Sequence, residues 1–337
     1  MKKIINFPLW FIQLFGTAKS FEQNPIIGSR LLNRAGLHVA RVILAHTMTS
    51  FRWWLLAPLI SCEERQIYRE RGYLAIPDFL PCDQFERLKT ELKTYDGEIR
   101  ECIQGDTLTL YGLLDRQAID GHPECGALTH NKRLTRLMMY GGAKMRKPAY
   151  FVNCIKNGYV EGHVDPQKTL HTDTFHPTMK AWLFIDDVTD ENGPFHYVPG
   201  SHRLSWSRLK WEYWKSVKGR DLPIPYEQRG SLRVSDDDLK SLGLDRSKAL
   251  KVPGNTLVMA NTHGFHHRGT APCSSRMAIY AYSRSNPFTP FPGFGNPLIA
   301  WAERYFTKKH WQDEDEKAKK NGTLSSWHVV PSEKLHE

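Results

Sequence analysis

Leu170-His171-Thr172-Asp173-Thr174-Phe175-His176-Pro177 is the stretch on which the reading of this chain turns. On an extended strand, side chains at i and i+2 project to one face, so His171 and Asp173 form a pincer for one metal ion while Thr172 points away. A second histidine from a distant strand would complete a 2-His-1-carboxylate set. Such a set leaves three adjacent metal positions open and is typical of non-haem Fe(II) sites that activate O2. A lone His-x-Asp is a weak signal, and His163-Val164-Asp165 is a rival pair. Gly158, Gly162 and Pro166 place the rival in a loop, whereas Leu170 and the run Met179 to Ile185 embed His171 and Asp173 in strand-like sequence.

The third ligand has to come from Asn261-Thr262-His263-Gly264-Phe265-His266-His267-Arg268-Gly269. Strand alternation puts His263 and His267 on one face and His266 on the other, and spacing alone does not choose among them. Arg276 opens the next strand, which a barrel would bring beside the metal-binding strand. A guanidinium there can pair bidentately with a distal carboxylate, more selectively than a lysine can. Taken alone, a structural salt bridge is the plainer role for it. Asn153, on the strand before the pincer, is a further candidate for a co-substrate contact, with strand-edge solvation as the plain alternative.

From Pro148 onward, helical periodicity gives way to short β-rich runs: Tyr150 to Ile155, Thr169 to Phe175, Met179 to Ile185, Phe195 to Val198, Thr256 to Ala260 and Met277 to Tyr282. Asp190-Glu191-Asn192-Gly193 reads as a hairpin. Short strands with tight turns, preceded by helices, predict a mainly β fold with flanking helices, a double-stranded β-helix or jelly-roll barrel. The expected organisation is an N-terminal helical extension over 1–62, a catalytic jelly-roll domain over 63–290 with an insertion at 201–250, and a C-terminal extension over 291–337. The insertion, with Trp206, Trp211, Tyr213 and Trp214 on a helix, is expected to act as a lid over the barrel mouth.

The 337 residues, 40% hydrophobic and 24% charged, exclude wholesale disorder and a multi-span membrane protein. Six scattered cysteines with no CxxC spacing read as reduced thiols of a cytoplasmic protein. The net charge of +10 is uneven: residues 1–62 carry Lys2, Lys3, Lys19, Arg30, Arg34, Arg41 and Arg52 against Glu22 alone. The run Ile4 to Ala18 is interrupted by Asn6, Pro8 and Gln13 and is too short to span a bilayer. From Arg30 to about Leu56, Arg30, Arg34, His38, Arg41, Thr49 and Arg52 share one helical arc and apolar residues fill the rest. Two readings follow: a helix in an anionic membrane interface, holding the protein on the inner face of the membrane, or a helix packed on the catalytic domain with its arginines in water. Gly36 weakens one unbroken helix. The basic and aromatic residues form no nucleic-acid module, which argues against nucleic acid as a partner.

The block from Leu170 to Pro177, Lys180-Ala181-Trp182-Leu183-Phe184, Asn192-Gly193-Pro194-Phe195 with Tyr197 to His202, Gly264-Phe265-His266 with Arg268-Gly269, and Arg276, in that order, resemble the phytanoyl-CoA dioxygenase family. The likeness runs from about Gly72 to Phe288. It implies His171, Asp173 and His266 as Fe(II) ligands and Arg276 as the anchor of the co-substrate 2-oxoglutarate. It also implies an O2-dependent dioxygenase that hydroxylates an unactivated C–H bond and releases succinate and CO2. Where the family often has a small hydroxyl residue two positions after the distal histidine, this chain has Arg268. The ligand aspartate is present, which argues for hydroxylation and against halogenation. The basic leader and the Trp-rich insertion suggest a small-molecule or lipid-like substrate. The rival class is a non-catalytic jelly roll that binds a metal or a lipid at a membrane.

Overall fold

A computed structural model describes residues 7–295 and 297–337, which leaves Lys2 and Lys3 outside the described residues. In chain order its strands are β1 (Tyr73–Ile76), β2 (Ile99–Gln104), β3 (Thr107–Leu113), β4 (Ala149–Asn157), β5 (Met179–Phe184), β6 (Phe195–Tyr197), β7 (Lys248–Leu250), β8 (Leu257–Asn261), β9 (His266–Arg268), β10 (Ser274–Ser283) and β11 (His328–Val330). Among the described residues they form an antiparallel sheet in the order β1-β8-β5-β10-β4-β3-β2-β11 and a smaller one in the order β7-β6-β9. Together the two sheets make the jelly roll that the short strands predict.

Strands β5, β8 and β10 read as nearly continuous apolar runs because both of their faces are buried. Met179, Ala181 and Leu183 of β5 point outward, onto a core shared with Leu88, Leu137 and Met138 of the covering helices. Phe184 points inward, with Val258, Ala260 and Ala278, against Phe195 and Tyr197 of the smaller sheet. Period-2 alternation thus divides each strand between two cores.

Two strand expectations fail. Thr169 to Phe175 is not a regular strand: His171 forms isolated bridges to Arg233 and His266, and the rest is irregular. Its backbone is held from both sides, since Thr172 N–H donates to Leu232 and Asp173 N–H to Thr262, each at 3.0 Å. Nor do residues 190–193 close a hairpin. They form a single turn capped by Thr189, and the chain crosses there from β5 in the large sheet to β6 in the small one.

The helices that matter for the site are α1 (Phe7–Gln13), α2 (Arg30–Arg34), α3 (Leu37–Leu55), α4 (Cys62–Arg71), α5 (Cys82–Leu92), α6 (Trp206–Lys218) and α7 (Pro297–Lys320). A capping box between Ser61 and Glu64 starts α4, and Gly72, at φ +85°, ends it. The single helix expected from Arg30 to Leu56 is broken at Gly36, whose φ of +94° a side-chain-bearing residue would resist.

The polar arc of α3 faces the protein interior and the apolar remainder of the helix faces out, so its arginines are not in water. Arg41 and Arg52 are only 6% and 1% exposed, so they meet neither water nor headgroups. Arg41 donates to the carbonyls of Leu14, Gly16 and Ala18 and lies over the Phe175 ring. Arg52 donates to Thr49 and to the backbone of Asn286 and Thr289. The insertion lies against both the N-terminal helices and the segment that carries the triad. Its helix α6 packs on α2 and α3, and its return through Ser231 to Val234 runs beside residues 170–172. The C-terminal segment adds β11 to the edge of the large sheet, where Arg100 pairs with Asp315 at 2.8 Å.

Candidate active site

His171 and His266 are direct antiparallel partners: His171 N–H donates to the His266 carbonyl at 3.0 Å and His266 N–H to the His171 carbonyl at 2.9 Å. Opposed residues of such a pair present their side chains to the same face. The imidazole centroids stand 4.5 Å apart, and Asp173 Oδ1 lies 3.6 Å from each Nε2. One ligand atom from each of the three residues falls within 4.8 Å of the others.

The tautomers are fixed from behind. Nδ1 of His171 faces the Thr169 carbonyl at 2.7 Å and Nδ1 of His266 faces the Gly264 carbonyl at 2.8 Å. Each Nδ1 therefore carries the hydrogen, and each Nε2 presents its lone pair toward Asp173. Both Nε2 atoms are buried without a hydrogen-bond partner, a costly arrangement that a bound cation relieves. Burial, together with the neighbouring His266, holds His171 down at about 3, so it is neutral at ordinary pH. Burial alone would raise the Asp173 carboxyl, but Lys180 and the two histidines hold it well below the usual carboxylate range.

The competing residues go elsewhere. His263 sits in a turn with Nδ1 on the Thr174 carbonyl and its ring against His46. His267 points outward from β9, stacked on His196 and bonded to Ser247. His163 is exposed in a loop, while its partner Asp165 is fully buried in an ion pair with Arg268 at 2.8 Å.

Beside the triad lies a cavity of about 210 Å³, whose wall includes Asn153, Lys180, Arg268, Arg276 and Trp327. Arg276 is buried, donates to the Gly193 carbonyl and rests over the Phe184 ring. Among the described residues no carboxylate pairs with it, and burial followed by the charge of Arg268 lowers it to about 9. A buried cation without a counter-ion, facing a cavity, fits the far carboxylate of a small dicarboxylate. Asn153 is buried on the central strand β4, which removes the solvation alternative, and its amide donates to the Leu110 carbonyl at 3.3 Å.

Three residues of the site escaped sequence reasoning. Lys180, at the start of β5, bonds Asp173 Oδ2 at 2.8 Å; its place in the Lys180-Ala181-Trp182 block was the available signal. Lys19 reaches in from the N-terminal segment to the Asp173 carbonyl, and Trp327 stacks on Tyr111 with centroids 4.8 Å apart. Nothing local marks either of the last two.

The phytanoyl-CoA dioxygenase (PhyH) family model matches residues 68–234, and the chain carries a domain of that family. Iron(II) and 2-oxoglutarate are the family's cofactors. The unpartnered Nε2 pair with Asp173 fits the metal and unpaired Arg276 fits the dicarboxylate. The chain is also similar to three solved structures. The non-haem α-ketoglutarate-dependent epimerase SnoN from nogalamycin biosynthesis is 17% identical over 66% of this chain and 85% of that one, with a TM-score of 0.46. The carbocyclase SnoK from the same biosynthesis is 20% identical over 66% and 83%, with a TM-score of 0.41. HygX from Streptomyces hygroscopicus, solved with nickel and 2-oxoglutarate, is 17% identical over 67% and 88%, with a TM-score of 0.39. No curated protein matches the chain.

Proposed function

We propose that the protein is an Fe(II)- and 2-oxoglutarate-dependent dioxygenase that hydroxylates a C–H bond of a small-molecule or lipid-like substrate. In this reading His171, Asp173 and His266 hold the metal, Arg276 holds the far carboxylate of 2-oxoglutarate, and Asn153 lies along the co-substrate. The observation that carries it is the pair of buried, unpartnered Nε2 atoms aimed at one carboxylate. Iron with 2-oxoglutarate and O2 supplies the oxidising power, converting the co-substrate to succinate and CO2.

The chain's own residues supply orientation. The carbonyls of Thr169 and Gly264 keep both imidazoles in the ligating tautomer. Lys180 holds Asp173 ionised, and Arg276 fixes one end of the co-substrate so that the other end faces the triad. Tyr111, Trp182 and Trp327 give the cavity an aromatic wall.

The test is anaerobic addition of Fe(II) and then 2-oxoglutarate to the purified chain. A metal-to-ligand charge-transfer absorption should appear and, once air is admitted, succinate should accumulate. Hydroxylation requires a product heavier than the substrate by one oxygen atom. A chain that binds no iron sinks the proposal, and a product without added oxygen sinks the hydroxylation.

A further inference from the structure

The surface built by residues 23–62 and 201–220 is inverted relative to that of a water-facing helix pair. On α3 the ionisable His38, Arg41 and Arg52 are buried with Thr49, Val42 and Ala45, and the exposed polar side chains are the uncharged Thr47 and Ser50. His38 bonds Glu212 at 2.9 Å, and Glu212 in turn pairs with Arg208 at 3.0 Å. The outward side of α3 carries Ile43, Leu44, Phe51, Trp54 and Leu55 and no charge. Leu31 on α2 is 76% exposed and Trp54 70%. The face continues through Phe51 to the exposed ring of Phe291, 6.3 Å away, and Trp206 and Trp214 stand exposed two turns apart on α6. A contiguous apolar surface of this kind marks an interaction site.

Within residues 23–62 and 201–220 the exposed charge has one sign, with the exposed acids Glu22, Glu63 and Asp221 flanking them. Arg30, Arg34, Arg203, Lys210, Lys218 and Arg220 are exposed across these two stretches, whose one acid, Glu212, is fully buried. Beside Ile43 and Trp54 the face opens into a cavity of about 1240 Å³, in whose wall Arg65, Arg69 and Arg203 outnumber the acid Glu70. A second copy of the chain seated on this face would set like charge against like, which disfavours a self-complementary dimer. An anionic lipid surface meets both features at once. No described helix is long and apolar enough to cross a membrane, so such a surface would lie in the interface.

We propose that the outer face of α2, α3 and α6 seats the protein in the interface of an anionic phospholipid bilayer, with Ile43, Leu44, Phe51 and Trp54 among the upper acyl chains and Arg30, Arg34 and Lys210 at the phosphates. The proposal is independent of the roles assigned at the triad. Flotation of the full chain with phosphatidylcholine vesicles, with and without phosphatidylglycerol, tests it. Binding should require phosphatidylglycerol and weaken as salt is raised. Leu44→Asp with Trp54→Asp should abolish it, and Arg30→Glu with Arg34→Glu should lower it by about tenfold or more. Both pairs are exposed, and an unchanged circular-dichroism melting curve for each variant shows that it folds. A chain that floats with neither vesicle overturns the proposal, as does binding that both variants retain. So does a dimer that Leu44→Asp with Trp54→Asp dissociates while no vesicle is bound, since that assigns the face to a second copy.

Discussion

Two carbonyls, of Thr169 and Gly264, decide how the imidazoles of His171 and His266 present themselves, and the consequence is two Nε2 lone pairs turned toward one carboxylate. Asp173→Ala removes the only carboxylate of the triad. It should weaken Fe(II) binding by about a hundredfold or more, beyond the usual cost of losing an outer-shell partner, and abolish succinate formation. Metal titration by calorimetry checks this, and unaltered affinity would remove Asp173 from the metal. Arg276→Ala loses a buried charge-assisted contact of about 1.5–3 kcal/mol, so the 2-oxoglutarate KM should rise about 10- to 100-fold with a smaller change in kcat. Steady-state kinetics at varied 2-oxoglutarate measure the split; an unchanged KM would return Arg276 to a structural role. At this scale the sequence showed the His171/Asp173 pincer and narrowed the third position to three histidines. It could not show that residues 262–265 turn and so break the strand alternation. The pairing of Arg268 with Asp165, 103 positions apart in the chain, was equally illegible, because no local pattern encodes a distant ion pair.

Helix α3 was legible as amphipathic but not in its orientation, since periodicity shows that two faces differ and not which of them meets protein. Orientation is set by partners on other elements: Glu212 on α6 for His38, and the carbonyls of 14–18 and 286–289 for Arg41 and Arg52. Glu212→Ala leaves Arg208 and His38 buried without their carboxylate, at a cost of about 3–5 kcal/mol. Urea denaturation should show that loss, and a change below about 1 kcal/mol would mean that water replaces the carboxylate. The irregular segment 169–175 was read as a strand for a related reason. Its extended shape comes from bonds to Leu232 and Thr262, and its own composition is rich in residues that favour strands.

Across the whole molecule, buried histidines make stability depend on pH. Burial holds His171 and His176 at about 3 and His202 at about 4, against an ordinary value of 6.5. The folded values lie below the unfolded one, so for the iron-free chain stability is full above about pH 6.5 and is lost as pH falls toward 3–4. Each group contributes up to about 1.4 kcal/mol per pH unit. Thermal midpoints should therefore drop steeply between pH 6.5 and 4.5, and a flat profile there would contradict the burial of these rings as neutral groups. The jelly roll itself was plain from the short runs after Pro148, because strands buried on both faces stay apolar whatever they pair with. The sheet order was not, since it depends on β1 and β11, contributed from far upstream and downstream of those runs. Trp327 carries a last consequence: one panel of the cavity beside the triad stands just before β11 and is reached from α7 through the exposed turn at 321–326. A protease nicking that turn would unhinge the panel while sparing the metal-binding pincer, so digestion should slow when 2-oxoglutarate occupies the chamber.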